Sequence, residues 1–129
     1  MRALIVDDSR LARNVLISVV FKAGITQADQ ATDGIEAVEM ASRNNYDIIF
    51  MDWNMPNMKG IDAVKAIREL DKKTPIMMVT ALADPAQINE ALKAGVNNYL
   101  LKPFKPEKAA AKIEETLALF SQTKKAEIA

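Results

Sequence analysis

The chain has no cysteine and no histidine among its 129 residues. Without cysteine there can be no disulfide, no thiolate zinc site and no thiol nucleophile. Without histidine the commonest metal ligand and general base is gone, so any metal must be a hard cation held by oxygen. Nor can the protein itself carry phosphohistidine; in a phosphoryl relay it could accept only onto another residue type. Charge of one sign is also lacking, since 17 Lys and Arg balance 17 Asp and Glu. That removes the basic field behind non-specific nucleic-acid binding. The lysines of the last third alternate with Glu107, Glu114 and Glu115, as on a solvated face. Long apolar runs are absent too. The opening residues 1–6 meet Asp7 too soon for a signal-peptide core or a membrane span. These absences lead us to expect a cytoplasmic protein with no membrane and no direct nucleic-acid partner.

What is present is ordinary globular composition, with 50% apolar and 26% charged residues. The length suits one domain, expected over 1–120, with a polar tail over 121–129. There is no repeat and no low-complexity linker. Two kinds of segment alternate. Short apolar runs at 3–6, 48–51, 76–79 and 99–101 suit strands buried on both faces. Between them lie stripes of helical period: Leu11, Val15, Leu16, Val19, Val20 and Ala23; Ile61, Val64, Ile67 and Leu70; Ile88, Ala91 and Leu92; Ala110, Ile113, Leu117 and Phe120. Ile35, Val38 and Ala41 suggest a shorter helix after Asp33-Gly34. Gly24 and Gly95 stand where helices should stop, and Asp84-Pro85 and Pro106 where helices should start. The polar segment 27–31 can be only an edge strand. Alternating β and α units predict an α/β fold, a doubly wound parallel sheet with helices on both faces. Strand order does not follow from the pattern.

The strand ends carry the chemistry. The first runs into Asp7-Asp8, the third into Asp52, the fourth into Thr80 and the fifth into Lys102. In a parallel sheet these ends share one edge, outside which ligands of open α/β sheets bind. Each residue also has an ordinary structural role open to it. Asp8 or Ser9 could cap a helix, Asp52 could begin a turn, Thr80 could be a buried strand residue and Lys102 a solvated lysine. Their coincidence at matching ends favours a common site. Clustered carboxylates repel one another, and a divalent cation relieves this; with few, all-oxygen ligands Mg²⁺ is the natural choice. One carboxylate can act as nucleophile towards phosphorus. The transfer then needs three equatorial oxygens neutralised, for which Mg²⁺, the Lys102 ammonium and the Thr80 hydroxyl with backbone N–H groups would serve.

With Ile5-Val6-Asp7-Asp8, Asp52 followed by Met55-Pro56 and Gly60, Thr80-Ala81 and Lys102-Pro103-Phe104 assembled, the chain resembles a response-regulator receiver domain. The resemblance runs from Leu4 to about Phe120. The run Asp52-Trp53-Asn54-Met55-Pro56-Asn57-Met58 is especially similar to the stand-alone chemotaxis regulators of that family. It implies a flavodoxin-like (CheY-like) sheet of order 2-1-3-4-5 with five helices. It also implies that Asp52 is the phospho-acceptor and that Asp7, Asp8, Asp52 and the Asn54 backbone carbonyl hold Mg²⁺. Thr80 and Lys102 would hold phosphoryl oxygens, and Ala81 would leave room for the donor. Lys102-Pro103 would often be cis, and Tyr99 with Thr80 would form a switch in which the ring rotates inward. Leu82 is apolar and cannot orient an attacking water by hydrogen bonding, which implies that self-hydrolysis is not fast. The implied partners are a histidine kinase or histidine phosphotransfer protein as donor, and a protein effector on the face of the fourth helix, fifth strand and fifth helix. No output domain is expected after Phe120, and a monomeric switch with at most weak intrinsic activity is expected rather than an enzyme.

A phosphorelay intermediate is a close alternative to a chemotaxis role. An aspartyl phosphatase of the haloacid-dehalogenase type also uses a strand-end Asp with Mg²⁺, but needs a second acid where Asn54 stands. A flavodoxin-like FMN protein needs a phosphate loop where Asp7-Asp8-Ser9 would repel phosphate. An inert interaction module would not bind Mg²⁺.

Overall fold

The computed structural model describes the backbone of residues 1–128 and the side chains of residues 1–120. In chain order the elements are β1 (Arg2–Val6), α1 (Arg10–Lys22), β2 (Gln27–Ala31), α2 (Gly34–Arg43), β3 (Ile48–Met51), α3 (Gly60–Leu70), β4 (Ile76–Thr80), α4 (Pro85–Ala94), β5 (Asn98–Leu101) and α5 (Pro106–Ile128). All strand pairs are parallel, and the sheet order is β2-β1-β3-β4-β5. The expected flavodoxin-like, doubly wound architecture is therefore the one adopted. The tail expected over 121–129 lies outside the residues whose side chains are described.

Strand side chains alternate between the two faces, and this alternation builds two cores. Leu4, Val6, Ile49, Met51, Ile76 and Met78 pack with Ala37 of α2, with Ile61, Val64 and Ile67 of α3, and with Ala91 of α4. Ala3, Ile5, Ile48, Phe50, Met77, Val79 and Leu100 pack with Leu16, Val19 and Val20 of α1 and with Ala109 and Ile113 of α5. The sheet is thus covered on both faces, and residues 3–6, 48–51 and 76–79 of its three central strands are apolar. Segment 27–31 forms an edge strand, as its polarity required.

Punctuation in the sequence works as read. Ser9 caps α1 by accepting from the Ala12 N–H at 3.2 Å, Asp33 caps α2 and Asp84 caps α4. Pro85 and Pro106 open their helices. Gly24 and Gly95 have positive φ at helix ends. The helical stripes are wider than what is buried. Leu11 (75% exposed) and Leu70 (65%) lie at the ends of α1 and α3, and Val15, Ile35 and Leu92 are also exposed. Helical period marks a broad apolar stripe, and residues at its margins stay in solvent while its centre packs on the sheet.

Candidate functional site

The parallel register aligns the carboxyl ends of the strands. Val6 lies opposite Met51, Met51 opposite Met78, and Thr80 opposite Leu101. The residues that follow these ends therefore meet at one rim. Backbone bonds hold them there: the Asp7 N–H donates to the Ala31 carbonyl at 3.1 Å, the Asp52 N–H to Val6 at 2.9 Å and the Lys102 N–H to Thr80 at 2.9 Å.

At that rim the carboxylates of Asp7, Asp8 and Asp52 offer oxygens that all lie within 4.8 Å of one another. Lys102 Nζ donates to Asp7 Oδ2 at 2.6 Å and stands 3.8 Å from Asp52 Oδ1. Asp7 is buried, and its Oδ1 accepts from the Ser9 N–H at 2.9 Å. Asp52 Oδ1 accepts from the Trp53 N–H at 2.8 Å. Because Ser9 caps α1, Asp8 is left exposed and available to the cluster. Burial pushes the Asp52 carboxyl up to about 6, opposed by Lys102 and reinforced by the charges of Asp7 and Asp8.

This donor set suits a hard divalent cation. It is all oxygen, it is held together against its own repulsion, and one ammonium does not balance three carboxylates. It fits Mg²⁺ and does not fit a metal that demands nitrogen or sulfur.

The other expected residues take neighbouring positions. Thr80 ends β4, is 2% exposed, and its hydroxyl accepts from the Leu82 N–H at 3.4 Å. No hydrogen bond joins it to a carboxylate among the described residues. Tyr99 is buried, and its hydroxyl donates to the Leu82 carbonyl at 2.7 Å. Burial, with the nearby charge of Asp52, raises its pKa. Asn54 is exposed in the loop after Asp52. The Lys102-Pro103 peptide is cis.

Sequence reasoning missed three supports of the rim. Arg13 donates through Nη1 to the Asp7 carbonyl at 2.8 Å and through Nε to Gln30 at 2.9 Å. Gly60 passes so close to Asp52 that a Cβ there would lie 1.8 Å from the Asp52 carbonyl oxygen. Asn57 donates through Nδ2 to Asp33 Oδ2 at 2.7 Å. Gly60 was visible as part of a motif, but its steric reason was not. A cavity of about 800 Å³ lined by Lys72, Pro75, Asn97 and Thr116 opens at the opposite, amino-terminal edge of the sheet, and none of the rim residues lines it.

Comparison with known proteins agrees with this geometry. The model of the response regulator receiver domain matches residues 3–114. The chemotaxis protein CheY of Pseudomonas aeruginosa is 43% identical over 117 residues, which cover 89% of this chain and 94% of that protein. Among solved structures, the receiver domain of sensor histidine kinase PA1611 from Pseudomonas aeruginosa PAO1, with a magnesium ion coordinated in its active site cleft, is 31% identical with a TM-score of 0.82, covering 91% of this chain and 97% of that one. The CheX-CheY-BeF3-Mg complex from Borrelia burgdorferi is similar at 31% identity and a TM-score of 0.86, covering 89% of this chain and 87% of that one. Among the described residues no helix is long and apolar enough to cross a membrane. An acidic triad with its lysine at the carboxyl edge of a 2-1-3-4-5 sheet, together with a family match over most of the length, shows that this chain belongs to the response regulator receiver domain family.

Proposed function

We propose that this protein is a phosphorylation switch in which Asp52 accepts a phosphoryl group from a phosphohistidine of a sensor kinase or histidine phosphotransfer protein. The observation that carries the reading is the position of Lys102 Nζ, 2.6 Å from Asp7 and 3.8 Å from Asp52, beside a triad that fits Mg²⁺.

An Asp52 carboxylate oxygen attacks phosphorus, an O–P bond forms, the N–P bond of the donor imidazole breaks, and the imidazole keeps the electron pair and takes up a proton. With its pKa near 6, Asp52 is mainly the ionised nucleophile at neutral pH. Asp7, Asp8, Asp52 and the Asn54 carbonyl would hold Mg²⁺, which when bound supplies charge neutralisation for the phosphoryl oxygens. Lys102 exchanges part of its pairing with Asp7 for an oxygen of the incoming group. The Thr80 hydroxyl gives up its long contact with the Leu82 N–H and donates to another oxygen.

Leu82 then couples site to surface, because one residue serves both Thr80, through its N–H, and Tyr99, through its carbonyl. Movement of Thr80 biases the balance between packings of the Tyr99 ring, which is a population shift. In α4 and β5 the exposed Leu92 and Leu101 suit contact with a protein effector. The relatedness to CheY favours chemotaxis over a phosphorelay intermediate. Asn54 in place of a second acid disfavours an aspartyl phosphatase.

Trp53 is buried beside Asp52 and is the only tryptophan. Mg²⁺ should alter its fluorescence, and acetyl phosphate or beryllofluoride should alter it further only when Mg²⁺ is present. Asp52→Ala should abolish the second change; a variant that still responds like the wild type would refute the assignment of the acceptor.

A further inference from the structure

Asp52 begins a loop that runs to Gly60, the first residue of α3. The base of the loop is pinned: Trp53 is 5% exposed, and the Gly60 N–H donates to its carbonyl at 2.8 Å. The middle of the loop is held by a different element. Asn57 adopts φ +68°, a left-handed conformation that Asn tolerates better than most side chains, and its amide donates to Asp33 Oδ2 at 2.7 Å. Next to it the Gly34 N–H donates to the Met58 carbonyl at 3.3 Å. The approach is close, since a Cβ on Gly34 would lie 2.7 Å from that same oxygen. Asp33 meanwhile uses Oδ1 to cap α2 through the Glu36 N–H at 2.8 Å. One carboxylate therefore both starts α2 and fastens the loop, and these two bonds hold its pKa below the ordinary value.

Asn54 lies between the two fixed points, three residues before Asn57. Asn57 is exposed, and a surface hydrogen bond of this kind contributes little to global stability. Its effect falls on loop entropy instead, because ordering a ligand in advance removes that ordering cost from binding.

We propose that the Asp33–Asn57 clip is a positioning device for the cation site: by fastening the loop after Asp52 to the start of α2, it sets the Asn54 carbonyl where Mg²⁺ is to be met. The proposal rests on the proposed Mg²⁺ site, that is, on the Asp7, Asp8 and Asp52 triad and on the Asn54 carbonyl as its further ligand. Neither Asp33 nor Asn57 touches the metal or the phosphoryl group.

The test is a magnesium chloride titration of the full chain followed by Trp53 fluorescence, with thermal unfolding of each metal-free protein beside it. Asn57→Gly keeps the backbone conformation and removes the amide. Asn57→Asp sets two carboxylates against each other, and its added negative charge by itself should favour the cation. Asp33→Asn with Asn57→Asp restores a donor–acceptor pair of reversed polarity, and an Asn can still cap α2. Each single variant should raise the Mg²⁺ midpoint about tenfold, and the exchanged pair should return it to within about twofold of wild type. The unfolding temperatures of the metal-free proteins should change far less than the midpoints. An Asn57→Gly midpoint within about twofold of wild type, or an exchanged pair as weak as Asn57→Asp alone, overturns the clip while leaving the triad assignment intact. A wild-type protein with no Mg²⁺ response overturns both.

Discussion

Replacing Asp52 by Asn should make the metal-free protein more stable at neutral and alkaline pH, although it removes the group on which the proposed function depends. The Asp52 side chain is only 13% exposed, and its carboxyl is pushed from 3.8 to about 6, chiefly by burial. At about 1.4 kcal/mol per tenfold step in acidity, that gap corresponds to about 3 kcal/mol. The rim is open beside exposed Asp8, so water and salt screen part of it, and a gain of about 1.5 kcal/mol is the working value. The sign follows from the raised folded-state pKa. The protonated carboxyl's contribution is fully present below about 3.8 and is lost as pH rises through about 6. Wild type and Asp52→Asn should therefore coincide near pH 4 and separate above pH 6, with the variant the more stable. The Asn side chain keeps an oxygen for the Trp53 N–H, and Lys102 keeps Asp7, so no buried partner is orphaned. Urea unfolding across this pH range in the presence of a chelator measures the difference. Mg²⁺ should narrow or reverse the order, because at about ten times its dissociation constant it adds about 1.4 kcal/mol to the wild type. A variant less stable than wild type at pH 8 without metal, or an equal difference at pH 4, would refute the reasoning.

The remaining predictions concern the same rim and its supports. Lys102→Met should lower metal-free stability at pH 7 by about 1–2 kcal/mol, because buried Asp7 loses its charged partner; urea unfolding reads this, and no loss would show that Lys102 does not offset the triad. Gly60→Ala should cost about 3 kcal/mol or more, since the new Cβ lands on the Asp52 carbonyl; a stable Ala variant would mean that the turn relaxes freely. Tyr99→Phe should cost about 1 kcal/mol through the orphaned Leu82 carbonyl; a thermal midpoint unchanged from wild type would show that water replaces the hydroxyl there.

Much of the fold could be read from local pattern. Residues 3–6, 48–51 and 76–79 are apolar without a break because both faces of a central strand are covered, so their runs are unambiguous. The polar segment 27–31 could be placed only by elimination, since one of its edges has no strand beside it. Helical stripes located α1 and α3 but overstated what they bury, because periodicity does not say how wide a strip of the helix the sheet covers. Leu11 and Leu70 fit the period and are exposed near the helix ends. In α2 the expected Val38 and Ala41 pack against the core, but Ile35 is exposed, and the fully buried Ala37 was too small to stand out.

What the sequence determined by itself was the inventory at the strand ends. Asp7, Asp8, Asp52, Thr80 and Lys102 each follow or end an apolar run, and parallel strands must bring such positions to one edge. The absence of histidine and cysteine narrowed the metal to one that prefers oxygen. Only the tertiary structure decided how those groups share their bonds. Lys102 pairs more closely with Asp7 than with Asp52, Ser9 takes the cap that Asp8 could have taken, and Asn57 reaches across to Asp33. The reason is physical. A residue's place along a strand is set by neighbours in sequence. Hydrogen-bond partners 24 or 95 residues away are chosen by distances of a few tenths of an ångström, which exist only once the sheet has closed.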